Sequence, residues 1–62
     1  MESKLKSARE KMGWTQAELA EKAQVSRATI SALENQKATT IKTTTLTKLA
    51  DALGEKVTSL FF

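Results

Sequence analysis

Catalysis at neutral pH usually draws on histidine or cysteine, and this 62-residue sequence contains neither. Their absence removes the commonest general base and pH switch, the commonest metal ligand, and any thiolate site or disulfide. Carboxylates and lysines remain, but Glu18, Glu21 and Glu34 take capping or exposed roles in the helices read below. No glycine-rich phosphate loop or metal constellation is present. The expectation is therefore no enzyme, no cofactor and no metal. The basic residues point to charge attraction instead. Lys4, Lys6, Arg9 and Lys11 crowd the first segment. Lys37, Lys42 and Lys48 fall in a run from Gln36 to Ala50 that carries no acid. A net charge of +3 and a pI near 9.5 suit a polyanionic partner such as nucleic acid. The same lysines also describe two solvated helix faces.

The elements that position these residues follow from periodicity. The chain is short enough to read as one domain over residues 1–62, burying about 60% of its unfolded surface. Helix packing must stabilise it, with a second copy of the chain as a further source. No apolar stretch is long enough to cross a membrane. Met1-Glu2-Ser3-Lys4 leads into no apolar run, so no signal peptide is read and a cytoplasmic location is expected.

Leu5, Ala8 and Met12 form a helical stripe that Gly13 ends in a left-handed conformation. Thr15-Gln16-Ala17-Glu18 has the form of a capping box, so a second helix should begin at Gln16 with Ala17, Leu19, Ala20 and Ala23 inward. Ser26 can cap a third helix from Arg27, with Ile30 and Leu33 on one face and Arg27, Ala28 and Ser31 pointing elsewhere. Asn35-Gln36-Lys37 reads as an exit turn and 38–45 as a threonine-rich loop anchored by Ile41. A fourth helix capped by Thr43 or Thr44 carries the stripe Leu46, Leu49, Ala50 and Leu53. Gly54 ends it, and a short last helix turns Val57, Leu60 and Phe61 inward. The expected class is all-α, with five short helices and no sheet.

Residues Gln16 to Leu33 have the spacing of a helix-turn-helix: small Ala20 at the helix crossing, Val25 plugging the turn, and Ile30 and Leu33 holding the third helix down. The opposite face of that helix is then free, and a helix of this size fits a DNA major groove about 12 Å wide.

Three runs carry a family resemblance: Trp14-Thr15-Gln16-Ala17-Glu18-Leu19-Ala20, Val25-Ser26-Arg27-Ala28-Thr29-Ile30-Ser31, and Leu33-Glu34-Asn35. Together they resemble the helix-turn-helix of the Cro/C1-type (Xre-like) repressors. The run Leu46 to Gly54, followed by Leu60-Phe61, is similar to the family's fourth and fifth helices. The resemblance implies a lambda-repressor-like fold and a transcriptional regulator, expected to be a repressor. It would bind a pseudo-palindromic operator in double-stranded DNA as a homodimer. Three departures stand out. Gln24 and Gln36 occupy positions where the family favours glycine. The loop before the fourth helix lacks the usual proline and carries one extra residue. A non-glycine residue held in a left-handed conformation costs roughly 1 kcal/mol.

Position by position, the resemblance makes the start of the third helix the reading head: Ser26, Arg27, Ala28 and Thr29, with Ala32 one turn on. Arg27 can bond guanine O6 and N7 together, or contact a phosphate or an acidic side chain. Ala28 and Ala32 offer methyl groups to thymine or simply let the helix sit close, and Thr29 can do either job. Phosphate contacts are expected from Gln16, at a positive helix N-terminus, and from Arg9, Asn35, Lys37 and Thr40. Each of these could equally be an ordinary solvated side chain. Trp14 is expected in the core as a staple before the Thr15 cap, in preference to stacking on a base. Phe62 is either a dimer contact, since the family often uses its C-terminal segment so, or a frayed end. The competing function is a protein-interaction module or antitoxin-type component whose main partner is another protein, with a protein co-regulator as a related possibility. The short polar reading face, with no apolar anchor, argues against that as the sole role.

Overall fold

The computed structural model describes residues 3–37 and 41–62. These form five helices: α1 (Leu5–Lys11), α2 (Gln16–Ala23), α3 (Arg27–Glu34), α4 (Thr43–Leu53) and α5 (Val57–Phe61). No strand occurs among the described residues, in keeping with the all-α expectation. The body measures 26 × 21 × 19 Å. At its centre α2 packs on both α3 and α4, α4 packs on α5, and α1 bridges α3 and α5.

The apolar stripes meet in one core. Leu5, Leu19, Ile30, Leu33, Leu49 and Phe61 are its most enclosed large side chains. Val25, at the α2–α3 turn, is buried with them, and Ala20 and Ile41 pack against them from its edge. Two expected core residues lie elsewhere. Met12 is 48% exposed, because α1 stops at Lys11 and the chain turns away through Gly13. Ala17 is exposed, since two residues from Leu19 on a helix is nearly the opposite face.

Local hydrogen bonds set the helix starts. The Thr15 hydroxyl accepts from the Glu18 amide at 3.1 Å, and the Glu18 carboxylate accepts from the Thr15 amide at 2.9 Å, completing the capping box. Ser26 Oγ accepts from the Thr29 amide at 3.2 Å. The start of α1 is held from afar, because the Lys4 amide donates to the Leu60 carbonyl at 2.7 Å and ties the two ends of the domain together. The expected threonine cap of α4 is a correction. The capping residue is Lys42, which makes no side-chain cap bond, and Thr43 and Thr44 already lie in the helix. The helix therefore starts one residue earlier than side-chain capping preferences indicate.

Helices α1 to α4 end alike, each on a residue in the left-handed region: Gly13, Gln24, Gln36 and Gly54, with φ of 73°, 57°, 59° and 68°. In each case the following amide reaches back five residues: Trp14 to Arg9, Val25 to Ala20, Lys37 to Ala32 and Glu55 to Ala50. These bonds satisfy carbonyls that the helix leaves open. A Cβ at Gly13 or Gly54 would meet nothing within 4 Å, so glycine serves there for φ alone. Gln24 and Gln36 adopt the same φ without that freedom. Gln24 recovers part of the difference by donating Nε2 to the Glu21 carbonyl at 2.8 Å.

Candidate nucleic-acid interface

The α2–turn–α3 unit leaves one face of α3 uncovered. Burial of Ile30 and Leu33 turns Arg27, Ala28, Ser31 and Ala32 away from the core, with Thr29 at the edge. Arg27 and Ala28 are exposed, and Thr29, Ser31 and Ala32 are half-buried. Arg27 is the first residue of α3 and, among the described residues, its guanidinium has no partner. Ser26 is exposed, but its hydroxyl caps the helix and lies 2.7 Å from the Thr29 hydroxyl.

Beside Arg27 lies an open cleft of about 450 Å³ lined by Arg9, Thr15, Gln16, Ala17 and Arg27. Its floor is the N-terminus of α2. The first amides of a helix have no acceptor within it, and they carry the positive end of its dipole. The cleft therefore brings Arg27 of α3 beside Arg9 and the first amides of α2, whose capping carboxylate is Glu18.

Two of the expected phosphate ligands turn out to be tied into the scaffold. Arg9 Nε donates to Glu34 Oε2 at 2.7 Å, Nη2 to Glu34 Oε1 at 3.1 Å, and Nη1 to the Trp14 carbonyl at 2.6 Å. Gln16 Nε2 donates to Glu34 Oε1 at 3.1 Å, so its side chain is engaged, while its backbone amide, in the first turn of α2, has no acceptor within the helix. Glu34, at the end of α3, thus grips α1 and the start of α2 at once. Its side chain is 3% exposed and that of Arg9 12%. Burial pushes the Glu34 carboxyl up, but hydrogen bonds from Arg9 and Gln16, with the charges of Arg9 and Lys6, outweigh it and hold the pKa below the usual carboxylate range. The Arg9 pKa is raised, chiefly by its hydrogen bond to Glu34.

At this site Glu34 departs from its expected exposed or capping role. A signal for it exists. Glu34 stands four residues after Ile30 and Arg9 four after Leu5, so each flanks a core stripe. Arg9 keeps part of its donor capacity, since three of the five N–H groups of an arginine are engaged.

Asn35 is exposed, but its side-chain amide donates to the Ser31 carbonyl at 2.9 Å and the Ser31 hydroxyl at 3.2 Å. Lys37 is exposed just past α3. Thr40 lies outside the described residues. Trp14 packs against the core, with Lys22 Nζ 4.9 Å from its ring centroid, so it acts as a structural cover for the helix-turn-helix. Phe61 is buried, and Phe62 beside it is 80% exposed. Among the described residues no cluster of three or more metal-ligating side chains occurs, and no helix is long and apolar enough to cross a membrane.

Comparison with known families matches residues 5–60 to the family described as Helix-turn-helix. No curated protein matches the chain.

Proposed function

The chain belongs to the Cro/C1-type helix-turn-helix family of DNA-binding transcription regulators, and from that membership we propose a repressor that binds a pseudo-palindromic operator as a homodimer. Each copy lays α3 in a major groove, the two grooves being one helical turn, roughly 34 Å, apart. Occupancy then blocks access of polymerase to the promoter. The observation that carries this reading is the pairing of an exposed Arg27 at the head of α3, without a partner among the described residues, with the cleft it lines at the α2 N-terminus.

In this arrangement phosphates contact the Gln16 amide, Lys37 and Thr40, and register α3 in the groove. Arg9, through Glu34, holds the α2 N-terminus in place and turns its remaining N–H groups to the same strand. Asn35 supports the end of α3 through Ser31. Ser26, Arg27, Ala28, Thr29 and Ala32 face the bases. The exposed Phe62 supplies an apolar contact between two copies.

The test is selection from a random duplex pool at about 0.15 M salt, where weak non-specific binding is largely screened. A palindrome with fixed half-site spacing is expected, and Arg27→Ala should lose base preference at one symmetric pair of positions while keeping its fold. Failure to enrich any duplex, together with no steep salt dependence on random DNA, would overturn the reading and point to a protein partner.

A further inference from the structure

The reading face of α3 has an unusual hydrogen-bond inventory, and its consequence rests on the reading that α3 docks in a major groove. Discrimination there uses a small code: arginine or lysine for guanine O6 and N7, asparagine or glutamine for adenine N6 and N7, and an acid for cytosine N4. Between Arg27 and Leu33 the chain contains no asparagine, glutamine, aspartate or glutamate. Of the groups of those types that flank α3, Gln36 is exposed past its C-terminal end, away from the Arg27 head, and the other three are turned inward or back on the helices. Glu34 is held by Arg9 and Gln16. Both amide bonds of Asn35 go to Ser31. Gln24 donates to Glu21.

The hydroxyls add little choice. Ser26 and Thr29 lie 2.7 Å apart, so one of their two protons is held within the pair, and Ser26 Oγ also accepts from the Thr29 amide. A hydroxyl both donates and accepts, so those that remain, there and on Ser31, find a partner on every base pair: guanine N7 or O6, adenine N7 or N6–H, thymine O4, cytosine N4–H. A lone hydroxyl of that kind does not select a base. What is left is one guanidinium fork and the methyl groups of Ala28 and Ala32. These alanines are one helical turn, about 6 Å, apart, which spans about two base-pair steps of 3.4 Å each.

We infer that α3 reads each half-site as a single guanine flanked by thymine 5-methyl groups, with no amide or carboxylate recognition of adenine or cytosine. Guanine is chosen by Arg27, and thymine is chosen by its methyl group against Ala28 and Ala32.

Base analogues in the selected operator test this. Replacing thymine by deoxyuridine removes only the methyl group and should weaken binding about fourfold per position, the value of one buried methyl-sized group. Replacing it by cytosine should weaken binding as well, but 5-methylcytosine should restore most of the loss, because it returns the methyl on an altered hydrogen-bond pattern. Replacing the guanine by 7-deazaguanine should weaken wild type about tenfold and leave Arg27→Ala unaffected. Deoxyuridine binding as well as thymine, or 5-methylcytosine no better than cytosine, overturns the inference while the operator itself stands. A selection that enriches no duplex overturns the reading beneath it and the inference together.

Discussion

Replacing Gln24 and Gln36 by glycine should stabilise the domain. Both residues hold a left-handed backbone, with φ of 57° and 59°, at the ends of α2 and α3. For a residue with a Cβ that region costs roughly 1–2 kcal/mol, which glycine avoids. Glycine returns part of the gain through the greater entropy of its unfolded chain. At position 24 it also loses an exposed side-chain bond to the Glu21 carbonyl. A net gain of up to about 1 kcal/mol remains at each position. For a domain of this size 1 kcal/mol shifts Tm by about 4–8 °C. The turns cap different helices, so the double variant should show nearly the sum. Gly13→Ala and Gly54→Ala supply the converse. A Cβ there meets nothing within 4 Å, so the expected loss of about 1 kcal/mol reports backbone conformation alone. Urea denaturation followed by circular dichroism and by Trp14 fluorescence measures all four, with an unchanged m-value as the condition for comparison. Glutamine-to-glycine variants that are neutral or less stable, alongside alanine variants that lose nothing, would refute the account of how the helices end.

Glu34→Gln should destabilise the fold by about 1.5–3 kcal/mol at neutral pH, the range for hydrogen bonds to charged groups. Because the folded Glu34 pKa is depressed, its contribution is full above the ordinary glutamate pKa of about 4.3 and disappears as pH falls through the lower folded value. Wild type should therefore lose its advantage over the variant below about pH 4, and parallel stability curves down to the acid limit would contradict this. Ala20→Leu should overpack the α2–α3 crossing by about 1–3 kcal/mol, which a wild-type melting curve would disprove. Phe62→Ser should weaken self-association and operator affinity without lowering monomer stability, as sedimentation and melting would show; unaltered self-association removes Phe62 from the dimer contact.

The features read most directly from the sequence are those set within four residues. The Thr15–Glu18 box, the Ser26 cap, the glycine ends and the Leu46–Leu53 stripe all appear in the structure as their spacing implies. Met12 escaped because one turn of chain direction removed it from an otherwise sound stripe. The start of α4 escaped because Lys42 caps it without a side-chain bond.

Sequence alone determined the helices, the turn between α2 and α3, and the residue types available for reading DNA, since backbone hydrogen bonds and apolar periodicity are local. Only the tertiary structure decided which polar groups remain available. Arg9 and Glu34 are 25 residues apart and meet only because α1 and α3 pack together. That meeting engages three of the five N–H groups of Arg9 and makes it a strut beneath the α2 N-terminus as well as an expected phosphate ligand, while Arg27 has no partner among the described residues. A side chain at the edge of a core stripe takes its role from whichever helix arrives beside it, and spacing along the chain does not encode that arrival.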